Sequence, residues 1–178
     1  MQKYSPVFLI GPRASGKSSV ARLLARHLGR PLFDTDFLVA AEAGCTIAEI
    51  VAKEGWDSFR EREARVLRAA CLSGGIIATG GGMVLSMANR EFMRQQGTVV
   101  YLSASPECLH SRLSADLNPG LRPSLTGNDP LEEVRSVLAE REPLYISTAH
   151  HILDASLSRK AVARLLMRIL EQNEGVGS

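Results

Sequence analysis

The sequence is short of the features that mark a protein for a membrane, an oxidising compartment or a polyanion. No apolar run approaches the ~20 residues needed to cross a bilayer, which excludes a spanning helix. The start, Met1-Gln2-Lys3-Tyr4-Ser5-Pro6, lacks the ordered basic, apolar and small-residue regions of a secretory signal, so a cytoplasmic (cytosolic) location is expected. The three cysteines, Cys45, Cys71 and Cys108, form no C-x-x-C pair, so neither a disulfide framework nor a zinc site is expected, and all three read as small buried hydrophobes. His27, His110, His150 and His151 lack metal-ligand spacing. An excess of one charge is also missing. Lys and Arg total 21 against 19 for Asp and Glu, a net of +2, which excludes a nucleic-acid-coating or polybasic membrane surface and makes any cationic site local. What remains is a chain of 178 residues, 45% hydrophobic and 22% charged, with the balance of one folded domain.

Apolar runs alternate with helical periodicity along that chain. Val7-Phe8-Leu9-Ile10 reads as a strand ending at Gly11, and Val20, Leu23, Leu24, His27 and Leu28 then recur at helical spacing before Gly29. Pro31 to Asp34 is a second strand, Gly75 to Thr79 a third, Thr98 to Leu102 a fourth and His151 to Leu153 a fifth. Thr46-Ile47-Ala48-Glu49 has the spacing of a capping box and opens a helix. Further helices are expected over Trp56–Leu72, Ala88–Arg94, Ser105–Leu113, Pro130–Tyr145 and Leu157–Gln172, with a frayed tail from Asn173 to Ser178. Ser114 to Asn128 holds Pro119, Gly120, Pro123 and Gly127 and reads as a long loop of the kind that forms lids. Apolar strands separated by helices predict one α/β domain with a parallel sheet covered on both faces, whose ligands bind beyond the carboxyl ends of the strands.

One motif gives that sheet a chemistry. Gly11-Pro12-Arg13-Ala14-Ser15-Gly16-Lys17-Ser18 matches G-x-x-x-x-G-K-[ST] at every fixed position and lies between a strand and a helix. Its glycines let the backbone curl N–H groups around a phosphate at the positive end of a helix, Lys17 neutralises the β and γ phosphates, and Ser18 offers a hydroxyl to Mg²⁺. Ser19 extends this nucleotide-binding run into the helix. Mg²⁺ also needs a carboxylate. Strands three and four end in Thr79 and Ser103, which leaves Asp34 and Asp154 at the ends of strands two and five. Asp34 is favoured because Asp36 stands two residues on, giving one acid for the metal and one for a substrate hydroxyl; the alternative is that the pair caps the next helix.

The remaining polar residues suggest an anionic acceptor. Arg60 and Glu63 share a helix face, so Glu63 could fix Arg60 as a carboxylate fork, although such a charged run is by default a solvated face. Gly80-Gly81-Gly82 after an apolar strand would let backbone N–H groups approach a small ligand. Arg122 in the long loop and Arg141 in the helix after it would each, taken singly, be surface charges. A cation on a mobile loop, however, could complete a phosphoryl-transfer site on closure.

Taken together and in order, the phosphate loop, Asp34-Thr35-Asp36, Phe59-Arg60 with Glu63, Ala78-Thr79-Gly80-Gly81-Gly82, Leu121-Arg122-Pro123 and Arg141 with Pro143-Leu144-Tyr145 resemble the shikimate kinases from Val7 to about Ile169. The resemblance implies a three-layer P-loop kinase fold over residues 1–178, with a five-stranded parallel sheet, helices on both faces, a shikimate-binding helical region at about 35–62 and a lid at about 114–128. It also implies a monomer in which ATP, with Mg²⁺, phosphorylates the 3-hydroxyl of shikimate. By resemblance, Lys17, Asp36 and Arg122 are catalytic, Ser18 and Asp34 serve the metal, and Phe59, Arg60, Gly80, Gly81, Gly82 and Arg141 hold shikimate with Asp36. Both Arg60 and Arg141 would lie on its carboxylate. Arg112 and the loop of Ala155 and Ser156 match the adenine-binding region. Ala14 departs from the family's usual glycine, and positive φ there would strain it. The nearest rival is another small-molecule kinase of this fold, such as a gluconate kinase or a nucleoside-monophosphate kinase. A nucleotide-dependent switch would need the loop but no second site, and the chain lacks an Asn-Lys-x-Asp guanine-recognition element.

Overall fold

The computed structural model describes residues 4–115 and 129–175. Five strands, β1 (Val7–Ile10), β2 (Leu32–Asp34), β3 (Ile76–Ala78), β4 (Thr98–Ser103) and β5 (His151–Asp154), form one sheet in the order β2-β3-β1-β4-β5, and every pairing is parallel. The helices are α1 (Lys17–Leu28), α2 (Thr35–Ala43), α3 (Ile47–Cys71), α4 (Met87–Gln96), α5 (Pro106–Ser114), α6 (Pro130–Thr148) and α7 (Arg159–Gly175). α7 continues to Gly175, past the Gln172 end expected from its apolar periodicity, and a single 3-10 turn at Met83–Leu85 precedes α4. Arg122 and most of the expected lid lie outside the described residues.

β1 is central, and all four of its residues are buried, so its alternating side chains feed two cores. Val7 and Leu9 join Leu24 of α1 and Val162 and Leu166 of α7 on one face. Phe8 and Ile10 join Leu67 of α3, Met93 of α4 and the rings of Tyr101 and Tyr145 on the other. A third cluster, built on Val39, Ile50 and Phe59, packs α2 against α3. The chain passes from β1 toward β2 on one side and from β3 to β4 on the other, so the strand order reverses at β1 and a crevice opens above its carboxyl end.

Local chemistry sets the helix ends around that crevice. Thr46 and Glu49 make the capping box in both directions: Glu49 N–H donates to Thr46 Oγ1 at 3.2 Å, and Thr46 N–H donates to Glu49 Oε2 at 2.8 Å. The two helices expected after Thr46 meet at Gly55, whose φ of 83° and ψ of 173° break α3 into two arms. Arg94 of α4 donates to the carbonyls of Ser147 and Thr148 at 3.1 and 3.0 Å, which satisfies the last turn of α6 and fixes that helix to the sheet layer.

At the start of β5, Val99 N–H donates to His150 Nδ1 at 3.0 Å, so this nitrogen must be unprotonated. Burial, the Arg94 charge and then His151 hold the imidazole below its ordinary value of 6.5. The unfolded chain therefore binds this proton more readily than the folded one. The contribution is complete above about pH 6.5 and is lost as the pH falls toward the folded value. The thermal midpoint is expected to fall between pH 7 and pH 5 by more in the wild type than in His150→Gln; equal falls would remove His150 from the acid response.

Candidate active site

The phosphate loop is shaped by what a side chain would strike. Gly11 has φ 144°, and a Cβ there would lie 2.7 Å from the Leu102 carbonyl of β4, so the first glycine is required by close approach of two backbones. Ala14 occupies the left-handed region at φ 63°. This conformation costs an L-residue about 1–2 kcal/mol, against the ~0.4–1 kcal/mol by which alanine narrows the unfolded ensemble. Ala14→Gly is therefore expected to raise unfolding free energy in denaturant titration by up to about 1 kcal/mol; a lower stability would show that the site holds alanine without strain. Lys17 folds back across the loop, its Nζ donating to the Gly11 and Pro12 carbonyls at 2.9 and 2.7 Å. The cation is buried against the loop's own carbonyls.

Asp34 is the cap of the next helix, and the same carboxylate also reaches Ser18. Its Oδ1 caps α2 by accepting from the N–H groups of Asp36 and Phe37 at 3.2 and 3.3 Å, while its Oδ2 accepts from the Ser18 hydroxyl at 2.5 Å. Asp154, the rival acid, instead closes on its own loop, accepting from Ser156 Oγ and N–H at 2.8 Å each, and those bonds hold its carboxyl below the usual range. Hard oxygens from Ser18 and Asp34 side by side at the loop are a donor set suited to Mg²⁺. Among the described residues no group of three or more His, Cys, Asp or Glu side chains gathers elsewhere to hold a metal.

Between the two acids, Thr35 is fully buried, and its Oγ1 accepts the Gly80 N–H at 2.9 Å. That bond ties the start of α2 to the triple-glycine turn and uses the Gly80 N–H within the protein. A Cβ on Gly80 would lie 2.5 Å from both Asp36 Oδ1 and Glu63 Oε1, and one on Gly82 would fall onto the Arg60 guanidinium. A Cβ on Gly81 would have as its nearest neighbour among the described residues the Arg13 backbone nitrogen of the phosphate loop, at 3.5 Å. Two of the three glycines thus make room for charged side chains.

The charged run on α3 divides by depth. Arg60 pairs with Glu63, which is only 1% exposed, and its guanidinium lies 5.3 Å from the ring centres of both Trp56 and Phe59. Arg62 and Arg65 pair at the surface with Glu54 and Glu42 instead. The Arg60 fork is therefore held from below by an acid and from the side by two aromatic rings. Arg141 on α6 is no surface charge either: its Nε is buried and has no hydrogen-bond partner among the described residues. These groups face one cleft, lined on its polar side by Asp36, Arg60, Glu63, Gly81, Gly82 and Arg141, with Pro12 and Arg13 of the phosphate loop at its edge. Trp56 and Phe59 form one apolar wall, and Leu109, Leu113, Val134 and Leu138 of α5 and α6 form another.

Arg112 and Ser156 come together on the far side of the phosphate loop. Arg112 donates to the carbonyls of Ala155 and Ala14, at 2.6 and 3.4 Å, and shares a shallow cavity with Leu23, Ser156 and Leu157. Ser15, Gly16 and Ser19 complete the loop and the first turn of α1. Sequence reasoning quoted Thr35 and Tyr145 within its motifs but gave neither a role, and it missed Trp56 as a site member. Trp56 stands one helical turn before Arg60 and Tyr145 one turn after Arg141, spacings that put each beside its arginine.

The shikimate kinase family model matches residues 13–171. Shikimate kinase 2 of Syntrophotalea carbinolica is 48% identical over 166 residues, 93% of this chain and 96% of that protein. Shikimate kinase of Oleidesulfovibrio alaskensis is 50% identical over 165 residues, 92% of this chain and 96% of its own. Among solved structures, shikimate kinase from Acinetobacter baumannii in complex with shikimate superposes with a TM-score of 0.89 at 33% identity, covering 97% of this chain and 96% of that one. A gluconokinase from Sinorhizobium meliloti, at 16% identity and a TM-score of 0.53, shares the fold alone. A cleft that sets two arginines and two acids beside a phosphate loop, and these likenesses along nearly the whole chain, lead to one assignment: the chain belongs to the shikimate kinase family.

Proposed function

We infer that this shikimate kinase, which phosphorylates shikimate with ATP, does so by in-line transfer of the γ-phosphoryl group from the Gly11–Ser18 loop to the 3-hydroxyl of an acceptor lying in the Asp36–Arg60–Arg141 cleft. The observation that carries the reading is the Arg60 guanidinium occupying the space a Cβ on Gly82 would need, backed by buried Glu63. A fork fixed in this way suits a planar carboxylate and loses little freedom on binding it. Arg141, whose buried Nε has no partner among the described residues, is the second cation for the same carboxylate. The hydroxyl end of the acceptor then falls to Asp36, at the start of α2 and beside Gly80.

Lys17 lies 2.7–2.9 Å from two loop carbonyls and would exchange them for the β and γ phosphate oxygens when nucleotide enters. Ser18 and Asp34 would hold Mg²⁺, which supplies charge neutralisation across the phosphates when bound. Asp36 accepts a hydrogen bond from the attacking hydroxyl and aims its oxygen at the phosphorus, taking the proton late, since a loose transition state needs little base help. Positioning and charge stabilisation dominate. Arg122, by family resemblance, brings a further cation to the transferring phosphate, and Arg112 and Ser156 border the base of the nucleotide. The reading includes a cytosolic monomer, for which gel filtration is the check.

A coupled ADP-release assay with shikimate, gluconate and nucleoside monophosphates as acceptors tests the assignment. Release dependent on shikimate alone is expected; preference for gluconate or a nucleotide, or release independent of any acceptor, would overturn it.

A further inference from the structure

Tyr145 has a buried hydroxyl for which phosphoryl transfer has no use. It lies on α6 one turn after Arg141, is 1% exposed, and donates from Oη to the Gly81 carbonyl at 2.6 Å across 64 residues of sequence. Its ring stacks on that of Tyr101 in β4, with centroids 5.0 Å apart and planes 22° from parallel. Tyr101 in turn donates its hydroxyl to Glu142 Oε1 at 3.3 Å, so the two rings and α6 are locked to the sheet. The bond from Tyr145 ends on the middle glycine of a turn whose neighbours are committed elsewhere: Gly80 to Thr35, and Gly82 to the face of Arg60.

We propose that Tyr145 is a positioning residue for the acceptor, setting the distance between the Arg60 and Arg141 guanidinium groups by tying the Gly81–Gly82 turn, on which Arg60 rests, to the helix that carries Arg141. The inference rests on the assignment of those arginines to the acceptor carboxylate. The phenol is suited to the task because burial keeps it protonated: Tyr145 is pushed well above the ordinary tyrosine range against the opposing charge of Arg141, and Tyr101 is pushed up to about 12. The tie is a donor that does not titrate in the working range of an enzyme. Tyr145 donates to the Gly81 carbonyl, whereas Lys17 donates to the loop carbonyls and Ser18 to Asp34, so the effect of the tie is expected on the acceptor before the nucleotide.

Tyr145→Phe removes the hydroxyl and keeps the stacked ring. The chain's single tryptophan, Trp56, lines the same cleft, so its fluorescence reads shikimate binding directly in the full-length protein. The expected result is a rise in shikimate Kd of about tenfold, as suits one lost hydrogen bond plus an unpaired carbonyl, with a parallel rise in shikimate KM and an ATP KM within about twofold of wild type. Tyr101→Phe, which deletes the other buried hydroxyl of the stack, is expected to change shikimate Kd less than about twofold. Equal losses in the two variants, or ATP and shikimate constants moving together, would mean generic loosening of the core and overturn the proposal. Arg141→Ala separates the proposal from its premise. If Arg141→Ala weakens shikimate and Tyr145→Phe does not, the arginine assignment stands and the Tyr145 role falls. If Arg141→Ala leaves shikimate binding intact, the carboxylate assignment fails, and the positioning role fails with it.

Discussion

Asp36→Asn is expected to lower kcat for shikimate phosphorylation by about 10²- to 10⁴-fold, with ATP binding retained. The substitution is nearly isosteric, and the helix start does not depend on this side chain, because Asp34 and not Asp36 caps α2. What it removes is a charged acceptor beside the Gly80 backbone, at the point where the cleft faces the phosphate loop. An amide can still accept a hydrogen bond from the hydroxyl. It cannot take the proton or stabilise the positive character that develops on the attacking oxygen. The loss should therefore appear in kcat rather than in either Kd, and an unchanged turnover would remove Asp36 from the chemistry.

Arg60→Ala is expected to act on the other side of the kinetic constants, raising shikimate KM by about 10²-fold, which corresponds to roughly 3 kcal/mol for a desolvated charge pair lost to a ligand. It carries a second cost. Glu63 is 1% exposed and would keep its position without its cation, so unfolding free energy should also fall by about 3 kcal/mol or more. The two effects separate in the double variant Arg60→Ala/Glu63→Gln, which removes the buried charge and should recover stability while leaving shikimate KM high. ATP KM should scarcely move, since Arg60 rests on Gly82, Trp56 and Phe59 and not on the phosphate loop. A change confined to ATP KM would contradict the assignment.

The sheet and the nucleotide loop were legible because each is written in consecutive residues. A buried strand is a run of apolar side chains, and a phosphate loop needs glycine where backbones meet or φ is positive, as at Gly11 and Gly16. The Thr46 capping box and the Arg60–Glu63 pair were legible for the same reason, since both partners lie within one helical turn. Asp34 shows the limit. Spacing allowed either a helix cap or an acid for the metal, and only the fold reveals that one oxygen caps α2 while the other accepts from Ser18. Contacts that close over long separations left no local mark: Thr35 with Gly80, 45 residues apart, and Tyr145 with Gly81, 64 apart. The 3-10 turn at Met83–Leu85 was hidden by the glycines before it, although those glycines supply its acceptors, Gly80 to Met83 N–H at 3.1 Å and Gly82 to Leu85 N–H at 3.0 Å.

The near balance of 21 basic and 19 acidic residues conceals a concentration of charge at one end of the sheet. Lys17, Arg60 and Arg141 border the crevice at β1, and Asp34, Asp36 and Glu63 stand among them. Each acid is close to a group that needs a fixed place: Asp34 to Ser18, Glu63 to Arg60, Asp36 to the glycine turn. The site is preorganised by ion pairs and close backbone approaches rather than by a rigid loop alone, which favours electrostatic stabilisation without reorganisation at the moment of transfer.

The most direct test of that account is a comparison of shikimate with its methyl ester as phosphoryl acceptor, in the wild type and in Arg60→Ala. Wild type should discriminate against the ester by about 10²-fold in kcat/KM, because the ester leaves two half-buried cations without their anion, and Arg60→Ala should lose most of that discrimination. A wild-type enzyme that accepts acid and ester alike would contradict the claim that paired arginines hold the acceptor by its carboxylate.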